Sequence, residues 1–264
     1  LNNSDVFRNQ LFATYRNIVT GEVGGKDAEQ VQELLDFVAC IQPINPNDPA
    51  FENAAESILK RPYYYILRNL TELENAGVLL RRRNSLRIAP DLLADFIRAE
   101  AAYNIQNSRP TGFADRVFAE VKDGLATNLV VNLSQLDWRL SADGIQTDLL
   151  NRIWTNLETQ FIEAGILTRR NILKTIEKVA YYQPYQVIRF VDMAISRPTD
   201  EVEDIGSHFF AKLTYDYVLE CLPPILKYAG YNLEYIPQVF DLLRKLALDD
   251  KRTTNQYPNH PQRI

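Results

Sequence analysis

The stretch from Arg61 to Ile97, RPYYYILRNLTELENAGVLLRRRNSLRIAPDLLADFI, constrains the fold of this chain more than any other. Tyr63, Ile66, Leu67, Leu70 and Leu73 recur with helical spacing and predict a helix with one buried face. Gly77 supplies the left-handed residue that ends such a helix. Two short apolar runs, Val78 to Leu80 and Leu86 to Ile88, flank the basic turn RRRNS and predict a hairpin. Pro90-Asp91 then restarts a helix whose stripe is Leu92, Leu93, Phe96 and Ile97. Helix, hairpin and helix in this order are the core of a winged helix.

The flanking segments complete that unit. Phe7, Leu11, Thr14, Tyr15 and Ile18 lie on one side of an amphipathic helix over 2–19, with Gly21 as its stop. Val31, Leu34, Leu35, Val38 and Ile41 form the stripe of a second helix ended by Pro43. Asp48 is placed to cap a third, which carries Phe51, Ala54, Ala55, Ile58 and Leu59. After Arg98 the pattern is helical almost throughout, with no alternating strand pattern. Helices are predicted over 113–123, 126–140, 146–164, 169–182, 185–196, 207–229 and 235–248. The expected division is residues 1–105 for an N-terminal helix and winged-helix domain, and 106–264 for an α-helical repeat domain.

An internal repeat supports the second part. A shift of 225 − 176 = 49 residues places Ile176, Lys178, Ala180, Tyr182 and Asp192 on Ile225, Lys227, Ala229, Tyr231 and Asp241. That period is close to the ~40–47 residues of HEAT-like helical pairs, which bury their apolar faces by stacking on neighbours. The fold class expected is therefore mainly α, a winged helix with a small β-hairpin wing followed by HEAT- or TPR-like repeats.

Composition narrows the function classes. At 264 residues and 46% hydrophobic, the chain has enough apolar material for a core that needs no disulfide or metal. Cys40 and Cys221 are too few for a secreted disulfide framework and read as reduced, buried thiols. No apolar run approaches the ~20 residues of a membrane span and no secretory leader opens the chain, so a soluble cytoplasmic protein is expected. The net charge of −5 disfavours nucleic acid as a partner of the whole molecule. The charge is uneven: residues 1–59 carry 3 basic and 9 acidic side chains, a balance of −6, and residues 60–98 carry 8 and 4, a balance of +4. Leu1 at the start and a polar run before Ile264 at the end suggest a piece of a longer polypeptide.

The runs LLDFVACIQPINPNDPAF and LENAGVLLRRRNSLRIAPDLLADFI, with the helical pairs after them, resemble the region that follows the ATPase core in STAND-class regulatory NTPases, relatives of the NACHT and AP-ATPase groups. The resemblance covers most of the chain in order, and its motifs are structural. It implies a winged helix that packs on an NTPase core and sensor repeats that bind a partner or ligand: a non-catalytic region of a cytoplasmic signal-transduction ATPase. Two departures limit it. The Walker motifs are absent from this sequence. Some members also set a winged-helix histidine against nucleotide, whereas the two histidines here, His208 and His260, fall outside Arg61 to Ile97.

Candidate sites are few. Arg81, Arg82 and Arg83, with Arg87 on the return strand, form a basic wing suited to an acidic protein surface or a phosphate backbone, or serving only solubility and edge protection. On the helix before the wing, the outward face runs through Tyr64, Arg68, Thr71, Glu72 and Asn75 with Glu74 beside it, and these carboxylates oppose DNA. A winged-helix DNA-binding transcription regulator with a helical effector or dimerisation domain is the alternative. TGEVGGKD has Thr20 and Asp27 where a Walker A loop needs Gly and Ser or Thr, and reads as an exposed turn. Neither the tyrosines at 63–65, nor His208, nor the acidic run DEVED at 200–204 forms a stacking, metal or carboxylate-dyad pattern. No catalytic residue, cofactor or metal is expected.

Overall fold

The computed structural model describes residues 3–104, 107–199, 203–204, 212–250, 257 and 259–264. They are mainly helical, with three two-stranded antiparallel pairs. The chain divides into two compact units, residues 1–150 and 151–264.

The first unit is built round α2 (Ala28–Ile41), whose last five residues are all buried. Around it lie α1 (Asn3–Gly24), α3 (Pro49–Leu59), α5 (Asp91–Ala102) and α7 (Asp123–Ala142), while α4 (Tyr63–Asn75) packs on α1 and α3 and α6 (Phe113–Glu120) on α3 and α5. Asp48 caps α3 as its position predicts, its carboxylate accepting from the Ala50 N–H at 2.9 Å. Helix α4 ends at Gly77, φ +74°, with Val78 N–H on Leu73 C=O and Gly77 N–H on Glu74 C=O. That pair of bonds is a Schellman closure, and a Cβ at 77 would be strained there.

Strands β1 (Leu79–Arg82) and β2 (Ser85–Ile88) form the expected hairpin, with Leu79 opposite Ile88 and Arg82 opposite Ser85. Its inner edge is tied to the α2–α3 connection. Ile44 and Leu86 exchange both backbone hydrogen bonds, at 3.0 and 2.7 Å, and the Gln42 side-chain oxygen accepts from Ile88 N–H at 2.8 Å.

The C-terminal end of α2 has an unusual closure. Carbonyls in the last turn of a helix lack an i+4 donor, and Pro43, having no N–H, withholds the one that Ala39 would use. Side chains from α5 and α7 supply the donors. Arg98 Nε reaches Ala39 C=O at 2.8 Å, and Asn132 Nδ2 reaches Cys40 and Gln42 C=O at 3.0 and 2.8 Å. Asn128 Nδ2 reaches Ile41 and Pro43 C=O at 3.2 and 3.1 Å. The two asparagines are four residues apart, on one face of α7. Helices α6 and α7, expected in the repeat domain beginning at 106, thus belong to the unit that extends to 150.

The second unit comprises α8 (Asn151–Glu163), α9 (Ile166–Val179), α10 (Pro184–Ser196), α11 (Asp216–Leu219), α12 (Leu222–Ala229) and α13 (Ile236–Asp249). Pairs α9/α10 and α12/α13 carry the 49-residue repeat and pack on one another, with Ile176, Ile225, Ala180 and Ala229 all buried. Arg169, buried, caps α8 as Arg98 caps α2, donating to Ile162 and Ala164 C=O at 2.9 and 2.8 Å.

Several expectations need correction. The apolar side of α1 marked by Phe7, Leu11, Tyr15 and Ile18 points outward, and the helix passes Gly21, its expected stop, to end at Gly24. Its inner face instead uses Phe12 and Arg16 against Phe96, and Val19. In the TGEVGGKD segment, read as an exposed turn, residues up to Gly24 belong to α1, and the exposed turn is the 3-10 segment Gly25–Asp27. Leu67 and Leu92 lie outside the buried stripes of α4 and α5, where Ile66, Leu70 and Leu73, and Leu93, Ala94 and Ile97, are buried. Short strands occur after Arg98: β3 (Tyr103–Asn104) pairs with β4 (Arg109–Pro110), and β5 (Glu203–Asp204) with β6 (Lys212–Leu213). Of the helix expected over 207–229, residues 207–211 lie outside the described residues; the remainder is β6 and then two helices, α11 and α12, because Pro223 and Pro224 suit only the first turn of a new helix. Cys40 is buried, whereas Cys221 is half-buried.

Candidate functional site

The hairpin brings Arg81, Arg82, Arg83 and Arg87 to one projection, but their charges are not equally available. Arg81 is held by Glu74 through two bonds, Nε–Oε1 at 2.8 Å and Nη2–Oε2 at 2.7 Å. This pair raises the Arg81 pKa and lowers that of Glu74, the hydrogen bond being the larger cause for both. Arg87 pairs with Asp91. Arg82 and Arg83 have no ion-pair partner among the described residues, and both are exposed. Arg83 occupies the left-handed region at φ +55°, which turns the strand and projects the two side chains at the tip. The free basic charge of the hairpin is therefore Arg82 and Arg83.

On α4 the outward face carries Tyr64, Arg68, Thr71 and Asn75, with Glu72 half-exposed, as the spacing predicts. Arg68 pairs with Glu72 at 3.8 Å and lies over the Tyr65 ring at 5.4 Å. Tyr63 turns inward, edge-on to Phe51, its hydroxyl donating to Pro46 C=O. Burial, with Glu52 and Asp48 nearby, pushes its pKa up to about 12.

A second surface lies along α1. Phe7, Leu11 and Ile18 are 68, 56 and 52% exposed, and with Tyr15 they form an apolar stripe along its outer side. A third feature is a cleft of about 360 Å³ near the base of the hairpin, lined by Gln42, Arg87, Asp91, Asp95, Arg98 and Arg139 among others. Asp95 sits between two arginines. Arg139 grips both its oxygens, with Nη2–Oδ1 at 2.9 Å, and Arg98 Nη1 donates to Oδ1 at 3.2 Å. Burial lowers the Arg98 pKa from the ordinary arginine value, with Asp95 opposing. Sequence reasoning missed Arg98, Asp95 and Arg139. The one available signal was an arginine on the buried side of an otherwise apolar helix stripe, Leu93, Ala94, Ile97 and Arg98.

No group of three or more His, Cys, Asp or Glu side chains among the described residues could hold a metal ion. His208 and Asp200 to Val202 lie outside the described residues, and His260 is buried beside Asp250, at 3.7 Å. Among the described residues no helix is long and apolar enough to cross a membrane. Compared with family models, with curated proteins and with solved structures, the chain matches none.

Proposed function

We propose that this chain is the winged-helix and helical-repeat region of a STAND-class regulatory NTPase, acting in the cytoplasm as a non-catalytic sensor segment whose winged helix packs on an NTPase core. The observation that carries this reading is the outer stripe of α1. A helix already packed on α2, α4 and α5 gains nothing from Phe7, Leu11 and Ile18 in water, and an exposed apolar row of this kind is characteristic of a surface that meets protein. The winged-helix assignment of α2 to α5 is supported by the Ile44–Leu86 bridge, which adds a third, minimal strand to the hairpin. The repeat assignment is supported by the equivalent burial of Ile176 with Ile225 and Ala180 with Ala229. Arg82 and Arg83 then offer guanidinium forks to carboxylates on the partner.

The mechanism expected is conformational. A ligand or protein that binds the repeats differently in two states shifts how the winged helix docks on the core.

The alternative, a DNA-binding regulator, draws on the same two wing arginines. Against it, Arg68, the one cation on α4, is paired with Glu72, so the helix that would enter a groove has no free positive charge. Two measurements separate the readings. ATP titrated calorimetrically into the chain alone is expected to give no binding, and a micromolar affinity would overturn the division of labour. A duplex-DNA mobility shift with a steep salt dependence that is lost in R82A/R83A would establish the alternative.

A further inference from the structure

The cleft near the hairpin base holds more basic charge and more hydrogen-bond donors than its own acidic groups use. Arg87, Arg98 and Arg139 face Asp91 and Asp95, a balance of 3 − 2 = +1. All three guanidinium nitrogens of Arg139 are engaged, Nε with Gln135 C=O at 3.3 Å and both terminal nitrogens with Asp95. Asp95 is likewise engaged at both oxygens, and Asp91 takes Arg87 Nη2. Four further nitrogens on lining residues are without any partner. Arg98 Nη2, Arg87 Nε, Arg87 Nη1 and Gln42 Nε2 reach no acceptor among the described residues.

Arg98 decides the matter. Its side chain is 3% exposed, with Nε on Ala39 C=O and Nη1 on Asp95 and, at 3.4 Å, Asn132 C=O. The rest of this guanidinium is enclosed and paired, Asp95 being shared with Arg139, so Nη2 is the one nitrogen of Arg98 left for a partner from outside the chain. We propose that the cleft binds a small molecule through a singly charged oxyanion, a carboxylate or a phosphodiester, seated against Arg98 Nη2 at the floor and Arg87 at the rim. One negative charge balances the surplus, whereas a dianion would be repelled by Asp91 and Asp95. Guanidinium forks match the paired oxygens of both groups, and about 360 Å³ lies within the range of small-molecule sites. This site is independent of the α1 surface and of the family reading.

The test is nitrogen–proton NMR of the Arg98 Nε–H resonance in the full chain, titrated with acetate or dimethyl phosphate at an ionic strength held constant with chloride. A saturable shift with at least one of these anions is expected, and which one acts identifies the ligand group. R87Q is expected to weaken binding roughly tenfold, the loss of a charge-assisted donor. D91N, at an exposed position, removes the competing carboxylate and is expected to tighten binding about twofold to fivefold. No saturable shift with either anion, an equal response to chloride alone, or affinities unmoved by both variants overturns the proposal.

Discussion

Replacing Asn132 with alanine separates two opposing contributions. Alanine is the better helix former by roughly 0.6 kcal/mol, so on propensity alone N132A should stabilise α7. Against this, Asn132 Nδ2 supplies Cys40 and Gln42 C=O at the buried end of α2, at 3.0 and 2.8 Å. A hydrogen bond lost at such a site costs about 1 kcal/mol, and more where the acceptor stays dry. Two bonds at about 1 kcal/mol each, less about 0.6 for propensity, leave a destabilisation of about 1.5 kcal/mol. At ~2–4 °C per kcal/mol for a protein of this size, the midpoint should fall by roughly 3–6 °C. Urea unfolding followed by circular dichroism measures this, with N171A on the exposed side of α9 as a control expected within ~0.5 kcal/mol of wild type. If N132A is as stable as wild type or more so, the side-chain closure of α2 has no energetic role and the reasoning fails.

Three further outcomes are expected. Asp36 has a buried oxygen without a hydrogen bond, and burial, opposed by Arg16, raises its pKa to about 7. Because the folded state then holds a proton that the unfolded state releases near pH 4, this group contributes stability at acid pH that is lost as pH rises through about 7. D36N should flatten that slope, of up to about 1.4 kcal/mol per pH unit, in unfolding curves between about pH 4 and 7. Burial pushes the Cys40 thiol up to about 12, so a thiol reagent should modify half-buried Cys221 in the native protein and reach Cys40 only on unfolding, as peptide mapping would reveal. Phe51 is fully buried and stacks on Phe37 at 5.9 Å, so F51A should cost about 3–5 kcal/mol in chemical denaturation, and a loss below about 1 kcal/mol would contradict its place in the core.

The local order of the first unit was legible because its signals are short-range. The Asp48 cap and the Gly77 closure act within a few residues and appear where the residues place them, and the hairpin forms with its turn narrowed from RRRNS to Arg83 and Asn84. What escaped was long-range. Periodicity identifies an apolar face of α1 without saying whether anything covers it, and Phe12 and Val19 on the other side provide a second face that packs inward. For the same reason the division into compact units falls at 150/151, beyond the 105/106 that the pattern suggested. Asn128 and Asn132 look like ordinary polar positions of an amphipathic helix until the carbonyls they serve, some 90 residues earlier, are in view. The wing arginines were visible as a cluster, but which were already neutralised depended on Glu74 and Asp91 folding back onto them.

The way α2 is finished off has a practical consequence for anyone dividing the molecule. An expression fragment trimmed at the expected winged-helix limit would lack the two amide groups that terminate its central helix, and the last turn of that helix would have to unwind towards solvent or recruit another chain to satisfy it. Such a fragment should be sticky and poorly cooperative, whereas one cut after Leu150 should behave as a self-contained globule.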